Sequence, residues 1–145
     1  MVMKIRKATK KDIPQMMEII KLNSSKYSKN VAFKELNEMF SKALLKPTYI
    51  VVEEKKKIVA FSGFIRSWVD NMVVDIFWTN THPDYQKKGI QTKLMNDLIK
   101  RIKKIGKTKM ILISTKIPKF YEKFGFKKIT SKYDRNYILM EKRLK

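Results

Sequence analysis

The amino-acid sequence predicts a mixed α/β fold: a central mixed sheet of about six to seven strands with helices on both faces. Three observations carry that reading. Residues 49–79 contain three strand-like runs in close succession, an antiparallel meander. A strongly amphipathic stretch then leads from residue 90 to Gly106, and a nearly continuous apolar run follows at 109–114. A long helix between two strands implies a crossover and parallel pairing. Two helix-like runs precede the meander, and a short helix and two strands close the chain.

Residues 3–7 fit a first strand, and Thr9 with Asp12 three positions later resembles a capping box. The helix it opens tolerates Pro14 in its first turns and buries Ile13, Met16, Met17, Ile20 and Ile19, until Asn23-Ser24-Ser25 breaks it. A second helix is expected over about residues 31–45, with Phe33, Leu36, Met39 or Phe40, and Ala43 or Leu44 inward. Pro47 opens the meander, whose strands are expected at 49–53, 58–66 and 72–79, joined by Lys55-Lys56-Lys57 and by the polar connection 67–71. Alternation along the third strand sets Val74, Ile76 and Trp78 on one face and Val73, Asp75, Phe77 and Thr79 on the other.

In the long helix Ile90, Leu94, Leu98, Ile102 and Ile105 recur every three or four positions between lysines. Arg101, Lys103 and Lys104 complement the negative end of its dipole, and Gly106 suits a left-handed cap. The run at 109–114 reads as a strand buried on both faces. Pro118 opens a short helix through Phe124, Gly125 closes it, and strands at about 126–131 and 136–142 finish the sheet.

At 145 residues the chain is expected to form a single domain, 1–145. No apolar run approaches the roughly 20 residues of a membrane span, and the first residues lack the apolar core of a signal peptide, so a cytoplasmic location without a membrane partner is expected. The absence of cysteine excludes disulfides, thiolate metal sites and an acyl-cysteine relay. A single histidine excludes multi-histidine metal sites, so no metal is expected. Neither Gly-x-Ser-x-Gly nor a P-loop occurs. Chemistry must therefore run on carboxylates, tyrosine, backbone dipoles and a borrowed cofactor.

The formal net charge of +21 invites a nucleic-acid partner through counterion release. Lysines outnumber arginines by 29 to 5 and are spread along the whole chain, whereas phosphate and base recognition favours the arginine fork. A solvated lysine-rich surface is the favoured reading and a nucleic-acid-binding domain the alternative.

Ahead of the long helix, Gln86-Lys87-Lys88-Gly89-Ile90-Gln91 brings two lysines and the unpaired N–H groups of a helix start together, an anion cradle. With Pro83-Asp84-Tyr85 before it, this stretch resembles the pyrophosphate-binding motif of the GNAT superfamily of acetyl-CoA-dependent N-acetyltransferases. The family pattern is Arg or Gln, two residues, Gly, one residue, then Gly or Ala. Gln86 and Gly89 match it, and Gln91 departs from it. Phe120-Tyr121-Glu122-Lys123-Phe124-Gly125-Phe126 also resembles a family motif, and the element order is similar over nearly the whole chain.

The resemblance implies a GNAT-like sheet in which the third meander strand splays from the strand after the helix, with the pantetheine arm of acetyl-CoA in the gap. The thioester is expected near Thr79, Asn80 and Thr81, and Pro83, which has no N–H to donate, suits the splay. The pyrophosphate is expected at Gln86, Lys87, Lys88, Gly89, Ile90, Gln91 and Thr92, with an ordinary basic helix start as the bland alternative for the two lysines. Ser114 stands where many members carry a pantetheine-contacting asparagine, and Ile117 where alanine is usual. Asp75 lies eleven positions before Gln86, the spacing at which some members place a catalytic glutamate. As base it would take the proton that a cationic amine must lose, and as a structural group it would pair with Arg66 or a lysine. Tyr121 falls where the family's general acid stands, and its alternative is packing against Phe120 and Phe124. His82 reads as incidental, with a place on the acceptor lip as its alternative.

The activity implied is direct transfer of the acetyl group of acetyl-CoA to a primary amine of a small molecule, protein or peptide within a ternary complex. The rival is a GNAT-fold module in which Gln91 has cost the chain its catalysis, leaving a binding or regulatory role. The first helices, with Tyr27 and Phe33, and the loops at 67–71 and 131–136 are expected to shape the acceptor pocket. A basic surface favours an acidic peptide slightly over a polyamine. Homodimers are common in the family.

Overall fold

Among the described residues the strand-forming runs pair into one seven-stranded sheet, in the spatial order Met3–Lys7, Thr48–Glu54, Lys57–Arg66, Val73–Thr81, Met110–Thr115, Ile138–Arg143 and Lys127–Lys128. The computed structural model describes residues 2–24, 26–129 and 136–145. Along the chain, β1 (Met3–Lys7) leads into α1 (Ile13–Asn23) and α2 (Lys29–Asn37), and β2 (Thr48–Glu54), β3 (Lys57–Arg66) and β4 (Val73–Thr81) form the meander. Then come α3 (Ile90–Ile105), β5 (Met110–Thr115), α4 (Pro118–Glu122), β6 (Lys127–Lys128) and β7 (Ile138–Arg143). All neighbours are antiparallel except β4 and β5, which α3 connects in parallel, so the expected mixed sheet with helices on both faces is what forms. No helix of the described residues is long and apolar enough to cross a membrane.

Each face has its own core. On one, α3 and α4 bring Leu94, Met95, Leu98, Ile102 and Tyr121 against Ile50, Val52, Val74, Ile76, Ile111 and Ile113. On the other, α1 and α2 bring Met16, Ile19, Ile20, Ala32 and Leu36 against Tyr49, Val51, Ile58 and Phe61. Each of these buried aliphatic or aromatic side chains contributes about 1.5–3 kcal/mol relative to exposure.

Five expectations need correction. The second helix runs only from Lys29 to Asn37 and gives way to a 3-10 turn at Glu38–Phe40. The Asn37 side chain donates to the Phe33 carbonyl at 2.8 Å, a local bond that competes with helix continuation. Ala32 and Leu36 are its buried positions, while Phe33 and Leu44 are exposed. The stripe on α3 is wider than read: Met95 and Ile99 are buried, and Ile105 in the last turn is exposed. Finally, β5 is covered on one face only, since Ile111, Ile113 and Thr115 are buried while Met110 and Leu112 are half-buried and Ser114 is exposed. The fourth concerns Trp78 and is taken up with the site below. The expected strand at 126–131 is the two-residue β6, and residues 130–135, which include most of the expected acceptor loop, lie outside the described residues.

A compact ion network fastens β1 to α1. Arg6 donates to Asp12 at 2.7 and 3.0 Å and to Glu53 of β2 at 2.8 Å. Asp12 is buried and also accepts the Thr9 N–H at 2.7 Å, the expected capping interaction. Burial works against the charged carboxylate, but the bonds from Arg6 and from the Thr9 N–H outweigh it and hold the Asp12 pKa below its usual range. A folded pKa below the unfolded one gives stability that is present at neutral pH and lost as pH falls through the folded value. Asp12→Asn is therefore expected to lower unfolding stability by about 2 kcal/mol at neutral pH. In urea denaturation the difference should shrink toward about pH 3, as the wild-type carboxylate protonates.

Candidate functional site

The site begins with one extra residue in β4. Phe61 pairs with Asn80 and Gly63 with Phe77, so Ser62 of β3 faces both Trp78 and Thr79 across a β-bulge. Trp78 takes φ +52°, a left-handed conformation that strains a bulky residue. The bulge resets alternation. Trp78 packs with Phe77 on the α1/α2 side and donates from Nε1 to Glu35 at 3.1 Å, whereas simple alternation had placed it with Val74 and Ile76. Thr79 now turns toward α3 and α4, where its hydroxyl faces Tyr121, and lies 2.7 Å from Ser62 Oγ. Gly63 makes room for this arrangement: a Cβ there would come within 2.7 Å of the Tyr49 ring and 3.1 Å of Phe77.

Beyond the bulge the two central strands part. β4 pairs with β5 only from Val73↔Met110 to Ile76↔Ile113, yet β4 continues to Thr81 and β5 to Thr115. The stretch 77–81 thus has no partner in β5, and its backbone polar groups on that edge face a gap. The Thr81 side-chain oxygen, in a residue 5% exposed, has no hydrogen-bond partner among the described residues. Asn80 is tied outward, its Oδ1 accepting from Asn23 of α1 at 3.1 Å.

At one end of the gap lies the start of α3. Lys87 and Gly89 take φ +61° and +77°, left-handed on both sides of Lys88, a backbone form that turns successive N–H groups into a concavity. Gly89 is the N-cap, so the first-turn N–H groups of Ile90, Gln91 and Thr92 point outward without helical acceptors. The hollow is open, since a Cβ added to Gly89 would meet nothing within 4 Å. Lys87, Lys88 and Thr92 are exposed around it. Outward-pointing N–H groups at a helix start suit an anion. Gln86 acts differently: its Nε2 donates to the Thr81 carbonyl at 3.1 Å and to Asn23 at 3.3 Å, bracing the loop against β4 and α1. Gln91 sends its side chain inward, its Nε2 3.5 Å from the Tyr121 hydroxyl. His82 caps the 3-10 turn Pro83–Tyr85 by accepting the Asp84 N–H at 3.1 Å.

Tyr121 stands across the gap on α4. It is 3% exposed, with its ring edge-on to Phe120 and Phe126 at 5.0 and 5.9 Å. Burial pushes its pKa up, and the Thr79 hydroxyl and the Gln91 amide beside it pull part of the way back. The packing and the aimed hydroxyl coexist, so the two readings of this residue are not exclusive.

On the opposite face of the sheet, Asp75 sits in one cross-strand row with Ile65, Leu112 and Glu141. Ser114 lies two residues further along β5 on this same half-open face and is exposed, whereas the neighbouring Thr115 Oγ1 accepts the Ile117 N–H at 3.0 Å. Desolvation raises the Asp75 pKa. Arg66, the expected partner, instead donates to the carbonyls of Asn71 and Gly106, and no cation among the described residues is paired with Asp75. The residues the sequence reading missed are Ser62 and Asn23. Both are uncharged, outside any motif and brought to the site only by the bulge and by the end of α1.

A mixed sheet opened between two parallel strands, with an anion cradle at the crossover helix, is an acyltransferase architecture. The model of the Acetyltransferase (GNAT) domain matches residues 7–142, and the chain belongs to that family. Among solved structures, the fold is similar to that of the ribosomal-protein-S18-alanine N-acetyltransferase from Escherichia coli, with TM-score 0.79, 17% identity, and 98% of this chain and 94% of that one covered. It is also similar to the PaiA N-acetyltransferase from Thermoplasma acidophilum in complex with coenzyme A, with TM-score 0.72, 19% identity and coverage of 99% and 100%. An aminoglycoside 6'-N-acetyltransferase complexed with coenzyme A gives TM-score 0.79 at 16% identity, with 99% and 97% covered. No curated protein matches the chain significantly in sequence.

The Asp75 environment yields a measurable sign. A carboxyl whose folded pKa is raised opposes folding while it is ionised, and the opposition disappears as pH falls through the folded pKa toward the unfolded value. Asp75→Asn should therefore unfold at higher urea concentration than the wild type at neutral pH, with the two converging below about pH 4.

Proposed function

We propose that residues 1–145 act as one acetyltransferase domain that moves the acetyl group of acetyl-CoA to a primary amine by direct attack in a ternary complex. The observation that carries this reading is the parting of β4 and β5 after Ile76 and Ile113, in line with the open cradle at Gly89. In this reading Lys87, Lys88 and the N–H groups of residues 89–92 hold the pyrophosphate, with Gln86 fixing the loop that presents them. The unpaired edge of Thr79, Asn80 and Thr81 takes the amide-bearing arm, and Ser114 borders it from β5. An N–H of the β4 edge polarises the thioester carbonyl as the amine nitrogen attacks its carbon.

Proton traffic falls to two residues. Asp75, directly or through a water, accepts the proton that the ammonium must lose before its lone pair is free. Its desolvated carboxylate is a stronger base than an exposed one. As the N–C bond forms and the C–S bond breaks, Tyr121 gives its proton to the departing sulfur and regains one from solvent after the products leave. The half-open face around Asp75, Leu112 and Glu141 receives the amine, which therefore meets two carboxylates in a chain of net charge +21.

Isothermal titration is expected to show saturable binding of acetyl-CoA, and absence of binding at millimolar ligand rejects the reading. With an amine acceptor, Tyr121→Phe should lower kcat by about 100-fold while leaving KM for acetyl-CoA little changed. An unchanged kcat would remove Tyr121 from the acid role.

A further inference from the structure

Four polar side chains meet where β4, β3, α3 and α4 converge, and the transfer chemistry uses only one of them. Ser62 is fully buried, and its Oγ lies 3.3 Å from the Phe77 carbonyl and 2.7 Å from Thr79 Oγ1. The Thr79 hydroxyl faces that of Tyr121 closely enough to lower its pKa, and the Tyr121 hydroxyl receives the Gln91 Nε2 amide at 3.5 Å. The two hydroxyls have one hydrogen each, and either can be the donor between them. When Tyr121 holds its proton, it can donate to Thr79, Thr79 to Ser62, and Ser62 to the Phe77 carbonyl. When Tyr121 gives its proton away, the Ser62 and Thr79 hydroxyls can rotate so that Ser62 donates to Thr79 and Thr79 to the phenolate oxygen. Gln91 needs no rotation, because its amide donates in both states.

Building on the reading of Tyr121 as the acid, we infer that Gln91 and the Ser62–Thr79 pair are positioning residues that stabilise the Tyr121 phenolate formed when its proton passes to the departing thiolate. The step balances: the sulfur gains the proton that the phenol oxygen loses, and the charge left on the oxygen is met by one amide N–H and one hydroxyl. A buried phenol needs such help, since burial alone makes it a poorer acid. Phe120 and Phe126 flank the ring with apolar edges, so this help has to come from the polar side chains at its hydroxyl. Gln91 then has a positive function at a position where the family pattern carries only a small residue.

The test combines steady-state kinetics with NMR titration of [13Cζ]tyrosine in the free protein, the Tyr121 resonance being assigned by its loss in Tyr121→Phe. Gln91→Met keeps the length of the side chain and removes its donor, and Gln91→Glu replaces the donor with an acceptor. The Tyr121 midpoint should rise from wild type to Gln91→Met and further to Gln91→Glu, and it should also rise in Ser62→Ala. In Gln91→Met, kcat should fall about tenfold with KM for acetyl-CoA unchanged or lower. A Tyr121 titration identical in wild type and Gln91→Met overturns the inference, all the more if that variant binds coenzyme A more tightly with unchanged kcat, because Gln91 would then be only a plug. The titration needs no ligand. A wild type that fails to bind acetyl-CoA would overturn the functional reading, whereas the midpoints decide the hydrogen-bond assignment separately.

Discussion

Everything at the site follows from the failure of two parallel strands to stay paired. β4 and β5 share four residue pairs and then separate, and the bulge at Trp78 and Thr79 lies just past the last of them. An extra residue bends and twists a strand more strongly, so β4 cannot keep its spacing from a regular neighbour. The left-handed Trp78 costs on the order of 1–3 kcal/mol and persists only because its surroundings hold it. Those surroundings are identifiable. Glu35 receives the indole N–H, Tyr49 meets Phe77 edge-on at 5.8 Å, Ser62 bonds Thr79, and Asn23 holds Asn80 and the Thr81 carbonyl. The gap is thus braced from α1, α2, β2 and β3, elements remote from the cradle in sequence.

The two candidate proton-handling groups occupy opposite faces of the sheet and are shifted in the same direction for opposite consequences. Desolvation raises both Asp75 and Tyr121. For a carboxylate that must accept a proton, a raised pKa brings affinity nearer to what a base at neutral pH requires. For a phenol that must donate, the same shift is a handicap. The structure answers asymmetrically: no described hydrogen bond reaches the Asp75 carboxylate, while the Tyr121 hydroxyl receives the Gln91 amide and faces the Thr79 hydroxyl.

Periodicity and motif spacing made most of this legible. The element order, the amphipathic α3 that begins after Gly89 and the Thr9–Asp12 cap were readable because each depends on residues within a few positions of one another. Most of what was not readable depended on distant partners. Alternation assigned Trp78 to the wrong face because a bulge inserts one residue without any local glycine or proline to announce it; the glycine that accommodates it, Gly63, is on the neighbouring strand. β5 looked buried on both faces because Met110, Ile111, Leu112 and Ile113 are all apolar, yet nothing among the described residues covers the side bearing Leu112 fully. The second helix was read too long because Phe33, Leu44 and their neighbours continue an apolar pattern that Asn37 interrupts with a single side-chain bond.

Gln91 shows why a departure from a motif has to be judged by direction as well as by size. A small residue at the second position of the helix lets a ligand approach the backbone closely. A glutamine there would obstruct the cradle if its side chain extended outward along the N–H groups. In α3 the side chain instead runs inward toward Tyr121, and the space over Gly89 stays clear. Two of the properties that seemed opposed, an intact anion cradle and a bulky residue within it, are therefore compatible because the first depends on backbone N–H groups and the second on a side chain that leaves the helix on the other side. The same inward course is what couples the helix that would hold the phosphates to the hydroxyl that would release the thiol.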